Sequence, residues 1–148
     1  MSRRWFTPPI VTVAILVGGA IGGAIVWRAG GAVRERDLAA YRAFERDALP
    51  IIDRAEQLAS MLPDGDLPVV ERAVVAARAV LDGEVSETEV LEPTVTWFAA
   101  ALSSAQEAID LIRARGDPTD VLTDARAAFA TARENLEMLR ARLRLPQR

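Results

Sequence analysis

Residues 118–146, PTDVLTDARAAFATARENLEMLRARLRLP, decide the fold. Leu122, Ala125, Phe129, Ala132, Leu136, Leu139 and Leu143 alternate three and four apart without interruption, the spacing that lays apolar side chains along one face of an α-helix. Asp117 and Pro118 supply a start signal and Pro146 a stop, so the pattern predicts a helix over 118–144. Its long apolar seam must be covered by other helices. Arg126, Arg133 and Arg140 fall seven apart beside that seam, where their stems can cover the core edge and their guanidiniums can reach acids on a neighbour such as Glu45.

Working back along the chain, three more stretches carry the same spacing. Phe98, Leu102, Ala105, Ile109 and Ile112 predict a helix over 94–115, with Thr94 as its cap, Gly116 as its end and Trp97 at the edge of its seam. Val70, Val74, Ala77 and Leu81 predict another over 67–82, capped by Asp66, with Pro68 in the first turn and Gly83 after the last. Tyr41, Phe44, Ala48, Ile51, Ala55, Leu58 and Leu62 predict the longest, over 33–62, stopped by the PDGD turn at 63–66. Pro50 lies inside it and leaves the Arg46 carbonyl without its N–H, which predicts a kink. Four helices joined by short connections make an all-α domain over 33–145, an antiparallel up-down four-helix bundle, with 146–148 as a tail.

Ahead of the bundle lies IVTVAILVGGAIGGAIVW, residues 10–27, in which no side chain is charged and Thr12 alone is weakly polar. A run of this length and character reads as a transmembrane helix. From Trp5 to Trp27 a helix would extend about 33 Å at roughly 1.5 Å per residue, placing both indoles at headgroup depth. Arg3 and Arg4 close one side and Arg28 the other; sliding the segment either way would pull a guanidinium into lipid at about 3 kcal/mol. Residues 1–9 are then a short basic arm, and 28–32, with Gly30 and Gly31, a hinge. Gly18 and Gly22, with Gly19 and Gly23, form two overlapping GxxxG patterns, a smooth ridge on which a second transmembrane helix can pack closely.

The order Ser2, Arg3, Arg4, Trp5, Phe6 resembles the start of twin-arginine export signals, which implies a cytoplasmic N-terminus and an extracytoplasmic bundle. Thr7, Pro8 and Pro9 depart from that pattern. Cleavage at the small residues around Ala20 or Ala24 would leave an apolar IVW start on the mature chain, so an uncleaved anchor fits better. Arginine counts on the two sides of the span are nearly balanced, and orientation rests on the export-like start together with the readiness of long domains to translocate.

All eighteen basic side chains are arginine, against twenty-one acids, and the sequence contains no lysine, histidine or cysteine. Nucleophile–base pairs, redox thiols and histidine metal sites are therefore excluded, and no Gly-rich phosphate loop occurs. Glu84, Glu87, Glu89 and Glu92 crowd the connection before Pro93, but they lack the Asp/Asn/Gly spacing of a calcium loop, so no metal or cofactor is expected. Ser86 to Glu89 has the form of a capping box. Nucleic-acid binding is disfavoured by the acidic balance. In an up-down bundle the fourth helix returns towards the membrane, which makes Arg140, Arg142, Arg144 and Arg148 a candidate lipid-facing tail. The expected function is that of a non-enzymatic envelope interaction or scaffold module, whose partners are membrane lipid and a protein partner or a second copy held through the span. The alternative is an extracytoplasmic sensory or ligand-binding bundle that signals through a partner.

Overall fold

The computed structural model describes residues 31–84 and 89–145. The chain divides into two units, 1–36 and 37–148; of the first, only residues 31–36 are described, and they are helical and exposed. No helix among the described residues is long and apolar enough to cross a membrane. The expected span, residues 10–27, lies outside them.

The second unit is a helical bundle. Helical residues 37–43 (α1) run into a π turn, Phe44–Ala48, and on into α2, Leu49–Ala59; α3 is Leu67–Glu84, α4 Glu92–Arg113 and α5 Thr119–Arg142. The π turn joins α1 to α2, so the described residues of this unit form four helical arms. Pro50 explains this turn. It occupies the second position of α2, where a missing N–H costs nothing, and the ladder ahead of it closes instead through the Leu49 N–H on the Phe44 carbonyl, five residues back. A π turn holds one more residue than an α turn, and the inward face is met one position late. Ile52 is fully buried where Ile51 was expected, and Ile51 is only partly covered.

The other seams bury as expected: Val70, Val74, Ala77 and Leu81 on α3, and all seven predicted positions from Leu122 to Leu143 on and just after α5. At the centre Phe98 of α4 lies between Phe44 and Phe129, with ring centroids 6.3 Å away on each side and interplanar angles of 32° and 58°. Offset, tilted pairs of this kind suit the aromatic quadrupole. Buried alanines, Ala101, Ala105 and Ala108 on α4 and Ala125, Ala128 and Ala132 on α5, keep the inward faces of both helices narrow.

Two helix ends differ from the sequence expectation. The start of α4 lies at Glu92, so Pro93 falls in its first turn and Thr94, inside the helix and buried, makes no capping bond. Buried Leu91 draws the chain inward two residues early, and proline there is harmless because first-turn amides have no helical partner. At the other end, Arg115 and not a glycine takes the left-handed conformation, with φ 57°. The Gly116 N–H donates to the Leu111 carbonyl at 2.8 Å and the Arg115 N–H to Ile112 at 3.1 Å, the paired bonds of a Schellman motif. A Cβ on Gly116 would lie 3.2 Å from Leu111 Cδ2, so glycine serves there for close approach. Arg144, also at φ 57°, closes α5 in the same way, with Leu145 N–H on the Arg140 carbonyl at 3.1 Å. A left-handed residue with a Cβ costs about 1 kcal/mol. Arg115→Gly is therefore expected to stabilise the fold by about that amount, read as a raised midpoint of urea denaturation.

The two remaining starts follow the sequence. Val69 N–H reaches the Asp66 side chain at 3.4 Å and its carbonyl at 3.0 Å, and Asp117 Oδ1 accepts from the Thr119 N–H at 3.0 Å and its hydroxyl at 2.6 Å.

Candidate functional site

The arginines of α5 organise the side of the bundle that faces α2. Arg133 Nε donates to Glu56 Oε2 at 3.1 Å, its Nη2 pairs with both Glu56 and Asp53, and its guanidinium carbon stands 5.3 Å above the centre of the Phe98 ring. Burial opposes the charge on Arg133, but the hydrogen bonds it donates to the Glu56 and Asp53 carboxylates, together with their charges, outweigh it and raise its pKa. The acids it reaches lie about two turns beyond Glu45 on the same arm, and the side chain remains 34% exposed, so the cluster is that of a half-wet ion pair on an aromatic face.

One heptad earlier, Arg126 borders a cleft of about 160 Å³ between α2 and α5, whose floor is Leu122, Ala125 and Phe129 and whose far wall is Glu56, Ala59 and Ser60. One heptad later, Arg140 turns inward: its side chain is 11% exposed, Nη1 lies 3.8 Å from Glu137, and Nε is buried with no acceptor. Arg140 is thus mostly withdrawn from solvent, whereas Arg142 and Arg144, grouped with it in the expected tail, are exposed. Arg148 lies outside the described residues. So do the expected membrane-interface residues Arg3, Arg4, Trp5, Trp27 and Arg28, and the expected packing glycines Gly18, Gly19, Gly22 and Gly23.

A second cleft, of about 210 Å³, opens between the start of α4 and the end of α5. Val90, Pro93 and Thr94 form one wall, and Asn135, Met138, Leu139 and Arg142 the other. Met138 stands 63% exposed at its edge, and Trp97, one turn further along α4, is 43% exposed. Trp97 is more open than the core edge expected of it. Helical spacing alone could not reveal this cleft, because it depends on which turns of α4 and α5 lie opposite one another.

Elsewhere, Arg113 at the end of α4 forks onto Glu71 of α3, with Nη1 on Oε1 at 2.7 Å and Nη2 on Oε2. Those bonds hold the Glu71 carboxyl below its ordinary value despite partial burial, and the Thr119 hydroxyl and amide do the same for Asp117. A carboxylate with a depressed folded-state pKa adds stability above its unfolded value, and that stability is lost as pH falls through the folded value. The urea midpoint is accordingly expected to fall on acidification below about pH 4.5, with a shallower fall in Glu71→Gln.

Among the described residues no group of three or more acids is placed to hold a metal ion, and Thr94 is the one buried polar residue. Comparison with protein-family models, with curated proteins and with solved structures finds no match.

Proposed function

We propose that this chain is a membrane-anchored, non-enzymatic helical bundle of the cell envelope that acts as an interaction or scaffold module. The observation that carries the proposal is the uncharged stretch Ile10–Trp27, bounded by Arg3, Arg4 and Trp5 on one side and by Trp27 and Arg28 on the other. Such a segment partitions into lipid, and the flanking tryptophans and arginines fix its depth. The core of the described bundle, built from apolar side chains around three phenylalanines, is compatible with a structural role. The arms are proposed to run up and down in turn, supported by the short turn between α4 and α5 and by the ion pair from the end of α4 to Glu71 near the start of α3.

In this proposal the N-terminus is cytoplasmic and the bundle extracytoplasmic. The Gly18, Gly19, Gly22 and Gly23 ridge packs against a second copy or a partner span, and Arg142, Arg144 and Arg148 are offered to anionic headgroups. The test is cross-linking of the full chain in its native membrane. A cross-linked dimer or a discrete heteromeric band, lost in the double variant Gly18→Ile and Gly22→Ile while the bundle stays folded, is the expected result. A chain recovered without a discrete partner, or one whose cross-links ignore both substitutions, would count against pairing through the ridge.

The alternative role, an extracytoplasmic sensory or ligand-binding bundle working through a partner, draws on the two clefts that flank α5.

A further inference from the structure

We infer that the cleft between the first turn of α4 and the last turns of α5 is a binding site for a small carboxylic acid in its ionised form, with an apolar body. The inference concerns residues 90–142 alone and stands or falls apart from the membrane anchor. Thr94 is the first observation. The residue is 2% exposed and lines the cleft, yet among the described residues its hydroxyl makes no hydrogen bond and its N–H meets no backbone acceptor, whereas its neighbours Glu92 and Val95 bond to Glu89 and Leu91. An unpaired N–H is ordinary in a first helical turn, so the informative donor is the hydroxyl, which keeps what little exposure Thr94 has and borders the cleft. Both lie in the first turn of a helix, where the peptide dipoles favour an anion.

The opposite wall supplies the charge. Arg142 borders the cleft, is exposed, and makes no ion pair among the described residues, and Asn135 adds a side-chain amide about two turns away on the same helix. A guanidinium fork matches a carboxylate with two parallel hydrogen bonds, and the Thr94 and Asn135 donors can complete its shell. The remaining surface, Val90, Pro93, Met138 and Leu139, is apolar. One cation against an apolar wall suits a singly charged ligand with a hydrophobic body better than a phosphate, which would ask for more donors and more charge. Glu92 also lies in the first turn of α4 but does not line the cleft. The volume of about 210 Å³ equals roughly seven waters at about 30 Å³ each, enough for a single ring or a short aliphatic chain.

Benzoate is the probe, with benzamide as its neutral counterpart. Equilibrium dialysis of the full chain in a nonionic detergent, against micelles alone, is expected to show saturable uptake of one benzoate per chain and none of benzamide. Arg142→Ala should weaken benzoate uptake tenfold or more and Thr94→Val severalfold, with circular dichroism showing both variants folded. Ser60→Ala, in the cleft beside α2, should leave it unchanged. No saturable uptake above the micelle control, or uptake equal in the native chain and Arg142→Ala, would overturn the assignment.

Discussion

Phe98→Ala is expected to lower the free energy of unfolding by about 3–5 kcal/mol, the cost of deleting a fully buried aromatic ring whose space the neighbours can only partly reclaim. Phe98 lies at the centre of the core. Its ring touches Phe44 on the π turn and Phe129 on α5, and its outer face carries the Arg133 guanidinium that ties α5 to Asp53 and Glu56. Removing it would open a cavity among three arms and take the aromatic face from beneath a half-desolvated cation. Urea denaturation of the full chain in detergent, followed by circular dichroism, reads the loss. A midpoint unmoved by the substitution would mean that the three rings are not the centre of the core.

Ala132→Leu should be the second most damaging change, at about 1–3 kcal/mol, for the opposite reason. Ala132 is fully buried on the inward face of α5, where added methylenes would force the packed helices apart. The spacing of two packed helices follows the side chains between them, and alanine sets it near the short end of the usual 8–10 Å or so. Ala130→Leu is the matched control. Ala130 is exposed and lines the cleft beside α2, where a larger side chain finds open space, so its effect should stay within about 0.5 kcal/mol. If both substitutions cost the same, helix propensity and not packing would be responsible.

These two predictions draw on what was most and least legible in the amino-acid sequence. The seams of α3 and α5 could be read residue by residue, because an uninterrupted three-four spacing leaves only one face that can be buried. The first arm is legible throughout except at one position, where Ile52 takes the buried place expected of Ile51, since Pro50 is answered by a π turn that no local pattern announces; Ala55, Leu58 and Leu62 are buried as expected. The start of α4 lies two residues ahead of Thr94, the cap that the sequence suggests. Threonine before an apolar run looks like a cap, but buried Leu91 and the tolerance of a first turn for Pro93 carry the helix further back. Gly116 drew attention as a helix end while Arg115 performs the left-handed turn; glycine marks such ends by frequency, and here the close approach to Leu111 is what calls for it. The clefts were illegible because they arise between helices. Arg133 was placed beside the right seam, and only the packing of α2 shows that Asp53 and Glu56 are its partners.

The absence of cysteine from the sequence makes the central claim, an anchored bundle displayed outside the cytoplasm, open to one direct measurement. Ser103 is exposed in the middle of α4, and Ser103→Cys would place a single thiol on the bundle surface. Intact cells carrying this variant are treated with a membrane-impermeant maleimide, and the labelled chain is sought in the membrane fraction after an alkaline wash. Labelling in intact cells, on a chain that stays with the membranes, is the predicted result. Labelling only after lysis, or a chain released by the wash, would contradict it.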